Sequence, residues 1–243
     1  MRSRADVGEL EEVAYDLWRA PVVEELDGWR LRFAHGLTGR ANSVWPNRGG
    51  DLPLAEKVDR AEAWYARRGM PARFQVTDAA EVGLEEALGA CGYEQSGAAV
   101  SVETADLDDV LVGTEGDAAI GSEPDEGWLS LWAGSRGFER LDVVRALLTG
   151  SPGRSALARI DDAAAGRAVV LGDWLGVTSM VTAPHARRRG HARAILHALA
   201  VWGAEEGATR AVLQVEEHNA AARALYGQAG FTQSHAYRYL VSP

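Results

Sequence analysis

The residues best suited to chemistry lie in the run Val181-Thr182-Ala183-Pro184-His185-Ala186-Arg187-Arg188-Arg189-Gly190-His191-Ala192. It reads as an apolar strand stopped by a proline, a short cationic loop, and the first turn of a helix. The leading N–H groups of a helix have no partner within it, and the helix dipole adds partial positive charge there. Small Gly190 and Ala192 let an anion approach the backbone, while Arg188 and Arg189 add charge-assisted contacts. Such a run suits a pyrophosphate. A basic surface turn capping a helix would carry the same letters.

These residues need a scaffold, and the flanking periodicities supply one. Gly176 to Ala183 is short and β-rich. His191 to Glu206 carries Ala194, Ile195, Ala198, Leu199 and Trp202 at helical spacing, Ala211 to Val215 is a compact apolar strand, and Asn219 to Gln228 returns to helical spacing through Ala222, Leu225 and Tyr226. Upstream, Pro124 to Ala133 and Phe138 to Leu148 read as helices, with strands near Ser155 to Ile160 and Arg167 to Leu171. Strand–helix–strand alternation predicts an α/β fold with a mixed (α+β) sheet.

The pattern occurs twice. Pro46 and Pro184, Trp64 and Trp202, Gly69 and Gly207, Gly89 and Gly227, and Gly92 and Gly230 share one offset of 138 residues. In the first unit Val7 to Trp18 reads as a helix, Gly28 to Ala34 as a half-exposed strand, Ala55 to Arg68 as a helix, Ala72 to Val76 as a strand and Leu84 to Ala90 as a helix. The expected organisation is an N-terminal lobe over 1–100, an acidic, weakly periodic junction over 101–116, and a second lobe over 117–243.

Residues 176 to 231 resemble the GNAT acyltransferase superfamily, whose signature is Arg/Gln-x-x-Gly-x-Gly/Ala at a strand–helix junction. Arg187-x-x-Gly190-x-Ala192 fits it, and Gln214-Val215-Glu216-Glu217-His218-Asn219, Leu225-Tyr226 and Gly230-Phe231 follow in the family's order. The chain as a whole looks like the tandem, two-lobed members. The resemblance implies an N-acetyltransferase that moves the acetyl group of acetyl-CoA to a primary amine by direct attack in a ternary complex. It implies that Met180, Val181 and Thr182 line the pantetheine, their backbone pairing like an added strand and one N–H holding the oxyanion. Arg187 to Ala192, including His191, would hold the pyrophosphate. Asn219 would steady the cofactor arm, although a plain helix N-cap explains it as well. Tyr226 would protonate the departing thiolate, a role that suits a phenol with an ordinary pKa near ~10. Glu216 is the first candidate for the group that takes the amine's proton, and Asp173 the second.

The first lobe lacks this equipment. Opposite Arg187, Gly190 and Ala192 stand Gly49, Leu52 and Leu54, and opposite Tyr226 stands Leu88. Asp51 replaces the cation at Arg189 and would repel phosphate. The N-terminal lobe is therefore expected to be non-catalytic, shaping the acceptor pocket with Arg40, Asn42 and Trp45 as wall residues.

Composition narrows the function classes. A formal net charge of −10 argues against nucleic-acid binding. Every apolar run is interrupted before the roughly 18 residues of a membrane span, and MRSRADVGELEE has no apolar segment like a secretion signal. Cys91 is the single cysteine, which excludes an internal disulfide and a cysteine-based zinc site, so a reducing, cytoplasmic setting is expected. Lys57 is the sole lysine among the cations, which reads as codon bias. His185, His191, His218 and His235 have mixed spacings and read as surface histidines, with no metal expected. Trp64, Trp128, Trp132 and Trp202 sit at helical spacings and read as core. The expected partners are acetyl-CoA and a small-molecule or peptide amine. The competing reading is a non-catalytic acyl-CoA-binding regulatory protein, against which a positioned phenol argues.

Overall fold

Helix α1 (Arg4–Leu17) begins where Ser3 and Asp6 cap one another, each side chain accepting the other's backbone N–H at 3.2 and 3.0 Å. The computed structural model describes residues 3–112 and 118–243. Asp27 and Gly28 both have positive φ and close a two-residue hairpin between β1 (Val22–Leu26) and β2 (Trp29–Phe33). The first lobe continues through β3 (Val44–Trp45), α2 (Leu54–Ala66), β4 (Arg73–Val76), α3 (Leu84–Ala90) and β5 (Glu94–Gln95). Next come β6 (Val100–Asp106), α4 (Leu107–Leu111), β7 (Ala119–Gly121), α5 (Glu126–Trp132), α6 (Leu141–Thr149), β8 (Arg154–Ile160) and β9 (Ala164–Leu171). The chain ends in β10 (Trp174–Thr182), α7 (His191–Glu205), β11 (Arg210–Glu216), α8 (Ala220–Gln228) and β12 (Thr232–Val241).

One mixed sheet runs through both lobes in the order β1-β2-β3-β4-β12-β6-β11-β10-β9-β8-β7. The pairs β3–β4 and β10–β11 are parallel, and the others are antiparallel. The two parallel pairs occupy equivalent places in the repeat. Gly69 and Gly207, and likewise Gly92 and Gly230, all adopt positive φ just after a helix, so the repeated glycines answer the same backbone need.

The lobes are interlocked. Residues 232–237 of β12 pair with β6, while residues 238–241 pair with β4 on one edge and 240–241 with β5 on the other. Strand β6 itself lies between β11 and β12. The stretch 101–106, expected to open a junction, is thus a strand inside the sheet, and 107–111 is helix α4. Alternating Val100, Val102 and Thr104 with Ser101 and Glu103 is what the sheet uses. Of the expected junction, residues 113–116 lie outside the described residues.

Helices cover both faces. On one, Ile195, Leu199, Tyr226 and Phe231 pack against Ala168, Leu175, Val177 and Leu213. On the other, Leu10 and Leu17 of α1 meet Val102, Val169, Val212 and Tyr237. A separate core under α2 gathers Trp29, Val58, Trp64, Phe74 and Leu88. A further cluster joins Trp18 and Ala41 of the first lobe to Trp128, Trp132 and Val144 of the second.

Candidate active site

Strands β10 and β11 separate. Their parallel register runs only from Trp174↔Arg210 to Val177↔Leu213, although β10 extends to Thr182 and β11 to Glu216. Beyond Val177 the edge of β10 that faces β11 has no strand partner among the described residues. The other edge stays on β9, through Thr178↔Arg167, Val181↔Ala165 and Thr182↔Ala164. Three β10 steps cover two on β9, a bulge in which Ser179 adopts φ +57°. A bulge bends its strand and re-aims the residues beyond it, here Met180, Val181 and Thr182.

The cationic loop follows. Pro184–Ala186 forms a single 3-10 turn, Arg188 and Gly190 adopt φ +60° and +83°, and α7 starts at His191. A Cβ on Gly190 would meet nothing within 4 Å, so backbone conformation sets the glycine requirement. Arg187, Arg188 and Arg189 are exposed, and with Arg193 they make no ion pair among the described residues. His191 and Ala192 occupy the first turn of α7. A cleft of about 560 Å³ lies beside this loop, lined by Ser130, Leu131, Arg136, Val181, Pro184 and Arg187 among others.

Tyr226 comes from α8, whose N-cap is Asn219, accepting from Ala222 N at 3.2 Å. The Asn219 amide nitrogen makes no hydrogen bond among the described residues. The Tyr226 ring is buried, edge-on to Phe231 with centroids 5.9 Å apart. Its hydroxyl makes no hydrogen bond among the described residues. Burial, reinforced by the charge of Glu103, pushes its pKa up to about 12. Glu103 belongs to β6 and is only 4% exposed; it pairs with Arg223 of α8 at 3.3 Å and accepts from Ser101 Oγ at 3.2 Å. Sequence reading missed Glu103 because it treated 101–116 as a junction. The period-two alternation around it was the available signal.

Glu216 stands exposed at the end of β11, 3.4 Å from His218. It lies opposite Val100, which packs under α1, so it projects from the sheet face opposite Tyr226. Asp173 is not in this region. It precedes β10 at the far end, bonded to Arg210 at 2.6 Å, and nine strand residues at ~3.3 Å each put it roughly 30 Å from Thr182.

Other expectations are also corrected. His235 is buried, its Nε2 2.8 Å from Glu11 Oε1, rather than a surface histidine. His185 and His218 are exposed, and no cluster that could hold a metal occurs among the described residues. Asn42 is a turn latch, accepting from Ala34 N and Gly36 N and donating to Thr38 O. Trp45 packs on Tyr15 and Arg30 within the first lobe. Of the three expected wall residues, Arg40 reaches the second lobe, where its charge acts on Arg167.

In the first lobe the loop equivalent to Arg187–Gly190 already holds an anion. The Asp27 carboxylate accepts from Asp51 N at 3.0 Å and Leu52 N at 2.8 Å, just before α2. These bonds hold its pKa below the usual carboxylate value. The buried Lys57, far from incidental, donates to Asp27 O at 2.8 Å and to Glu81 Oε2 at 2.6 Å and fixes the arrangement.

The family model described as "Probable histone acetyltransferase Rv0428c C-terminal" matches residues 4–240. The chain is 29% identical over 245 residues to the uncharacterized N-acetyltransferase YobR of Bacillus subtilis, covering 96% of this chain and 98% of that one. It is 33% identical over 251 residues to the probable histone acetyltransferase Rv0428c of Mycobacterium tuberculosis, covering 97% and 74%. A GCN5-related N-acetyltransferase from Kribbella flavida superposes with a TM-score of 0.60 at 17% identity, over 100% of this chain and 96% of that one. With two copies of the strand–helix–strand unit and this match along nearly all its length, the chain belongs to the GNAT N-acetyltransferase family as a two-lobed, tandem member.

Proposed function

We propose that this acyltransferase moves the acetyl group of acetyl-CoA to a primary amine, with residues 117–243 carrying the chemistry and the first lobe non-catalytic. The observation that carries the reading is the separation of β10 from β11, which frees a strand edge that leads directly into four arginines unpaired among the described residues.

The pantetheine arm would add to the free edge at Met180, Val181 and Thr182, as a strand does. Arg187, Arg188, Arg189, Gly190, His191 and Ala192 would take the pyrophosphate, and the free amide of Asn219 would hold the arm. The neutral amine attacks the thioester carbon, a C–N bond forms, and the C–S bond breaks as the oxyanion collapses. Tyr226 gives its proton to the leaving thiolate and recovers one from solvent. The amine's surplus proton passes to Glu216 through water. Glu216 and Tyr226 project from opposite sheet faces, which supports base and acid acting from opposite sides of one carbonyl. The Asp27 carboxylate already seated at the first lobe's loop supports a single site per chain.

Calorimetry with acetyl-CoA tests this reading. One site per chain is expected, with thiol release when an amine is present. Binding without thiol release from any amine would favour the regulatory alternative, and an absence of binding would remove both.

A further inference from the structure

We propose that Arg40 and Arg167 form a site for an oxyanion on the acceptor, so that the substrate is a small amine that also carries a carboxylate or phosphate. The inference rests on the acetyl-transfer reading above and names the substrate class for that site.

Arg167 is fully buried. Its neighbours Gly166 and Ala168 face α7, so it projects to the α1 side of β9. All its partners are neutral: Leu17 O at 3.0 Å, Ser151 Oγ at 2.9 Å and Thr178 Oγ1 at 3.4 Å. Its Nε is buried with no partner. A buried cation without a counter-charge is costly, and here a second cation adds to the cost. The Arg40 guanidinium makes no hydrogen bond or ion pair among the described residues, and its Nε is likewise buried and unpaired. Both guanidiniums lie over the same Trp18 ring, Arg40 at 5.5 Å and Arg167 at 5.8 Å from its centroid. Burial, and then the charge of Arg40, hold the Arg167 pKa below its ordinary value.

A further unpaired polar group lies beside the same ring. Trp132 Nε1 is buried without a partner, and its ring lies 5.8 Å from that of Trp18. Ser179 Oγ is also buried and unpaired, one residue beyond Thr178. Of the seven buried unpaired side-chain atoms among the described residues, Arg40 Nε, Arg167 Nε and Trp132 Nε1 gather at this ring. Buried polar groups are ordinarily satisfied, and these three donors, two of them on cations, lack one thing, an acceptor with negative charge. The nearby buried carboxylate of Glu11 is engaged with His235 and Gln75.

Position ties the site to the chemistry. Pairing between β10 and β11 ends at Val177, and Arg167 touches the next residue, Thr178. An oxyanion held there leaves an amine a few bonds away at the mouth of the opened strands, on the face that carries Glu216. A forked guanidinium matches the two oxygens of a carboxylate or phosphate.

The test compares matched acceptors in a thiol-release assay: β-alanine against β-alaninamide, phosphoethanolamine against ethanolamine, and a lysine peptide with both ends blocked. Acetyl-CoA affinity is followed separately by calorimetry. An oxyanion-bearing member should exceed its neutral counterpart by about 10- to 100-fold in kcat/KM, and the better of the two identifies the oxyanion. Arg167→Gln removes a fully buried side chain that holds Leu17 O and Ser151 Oγ, so Arg40→Gln carries the argument. In that variant the ratio should fall toward one, mainly through KM, with acetyl-CoA affinity retained. Equal rates for charged and neutral members, preference for the blocked peptide, no turnover of the charged amines, or a ratio that survives in Arg40→Gln would each overturn the inference and leave acetyl-CoA binding intact. Loss of acetyl-CoA binding in the wild-type chain would overturn the reading beneath it and this inference together.

Discussion

Glu11 in α1 and His235 in β12 face one another at 2.8 Å with almost no exposure, and Gln75 of β4 donates to the same carboxylate at 3.0 Å. Three elements distant in sequence meet at one buried acid. Glu11→Ala should therefore cost about 3–5 kcal/mol, because it strands buried partners. Urea denaturation checks this, with Asp142→Ala, whose pair with Arg140 is exposed, expected within about 1 kcal/mol of wild type.

Tyr226→Phe should leave folding and acetyl-CoA affinity unchanged, since the hydroxyl makes no hydrogen bond to lose. Turnover should drop in kcat rather than KM, by about 10²- to 10⁴-fold and toward the low end if water substitutes. Leu88→Ala, at the equivalent position of the first lobe and fully buried, should cost about 2–5 kcal/mol of stability through a cavity. Wild-type turnover by Tyr226→Phe, with chemistry rate-limiting, would reduce Tyr226 to a core aromatic.

The pKa of Tyr226 gives a pH prediction with a fixed sign. The folded value, raised to about 12, lies above the ordinary value near ~10. In the window between them the unfolded phenol has lost its proton while the folded one keeps it, so folding binds the extra proton. This contribution to stability is complete below the unfolded value and is lost as pH rises through the folded one. Tyrosinate titration of wild type against Tyr226→Phe should show that the missing phenol titrates above an ordinary tyrosine, and activity should show no alkaline loss from this group below its folded value.

Arg188→Glu and Gly190→Val should each weaken acetyl-CoA binding. The first reverses a charge at a residue with no internal partner. The second places a β-branched residue at φ +83°, costing about 1–2 kcal/mol in backbone strain before any contact with ligand. Calorimetry should find weaker binding in both and one site per chain in the wild type. Two equivalent sites would refute a silent first lobe, and unchanged affinity in both variants would refute the loop.

Local structure was legible where it was self-contained. Arg187-x-x-Gly190-x-Ala192, the helical spacing through Trp202, and the paired glycines each express a requirement met within a few residues. What escaped was settled by distant partners. Val100–Asp106 is a strand because β11 and β12 flank it, and His235 is buried because Glu11 lies at the other end of the chain. Asn42 looked like a pocket residue until its bonds to Ala34, Gly36 and Thr38 appeared. Asp27 gave no hint that it would occupy the first lobe's loop, 24 and 25 residues from the N–H groups it accepts.

The strand exchange at β12 also governs the order in which this protein can fold. One edge of β4 is completed by Arg238–Val241, so during synthesis the first lobe must wait, with an open strand edge, until those residues have emerged. Long-range pairing of this kind slows folding and prolongs exposure of an edge prone to wrong partners. A nascent chain halted after residue 112 would therefore hold α2 and α3 over an unfinished sheet.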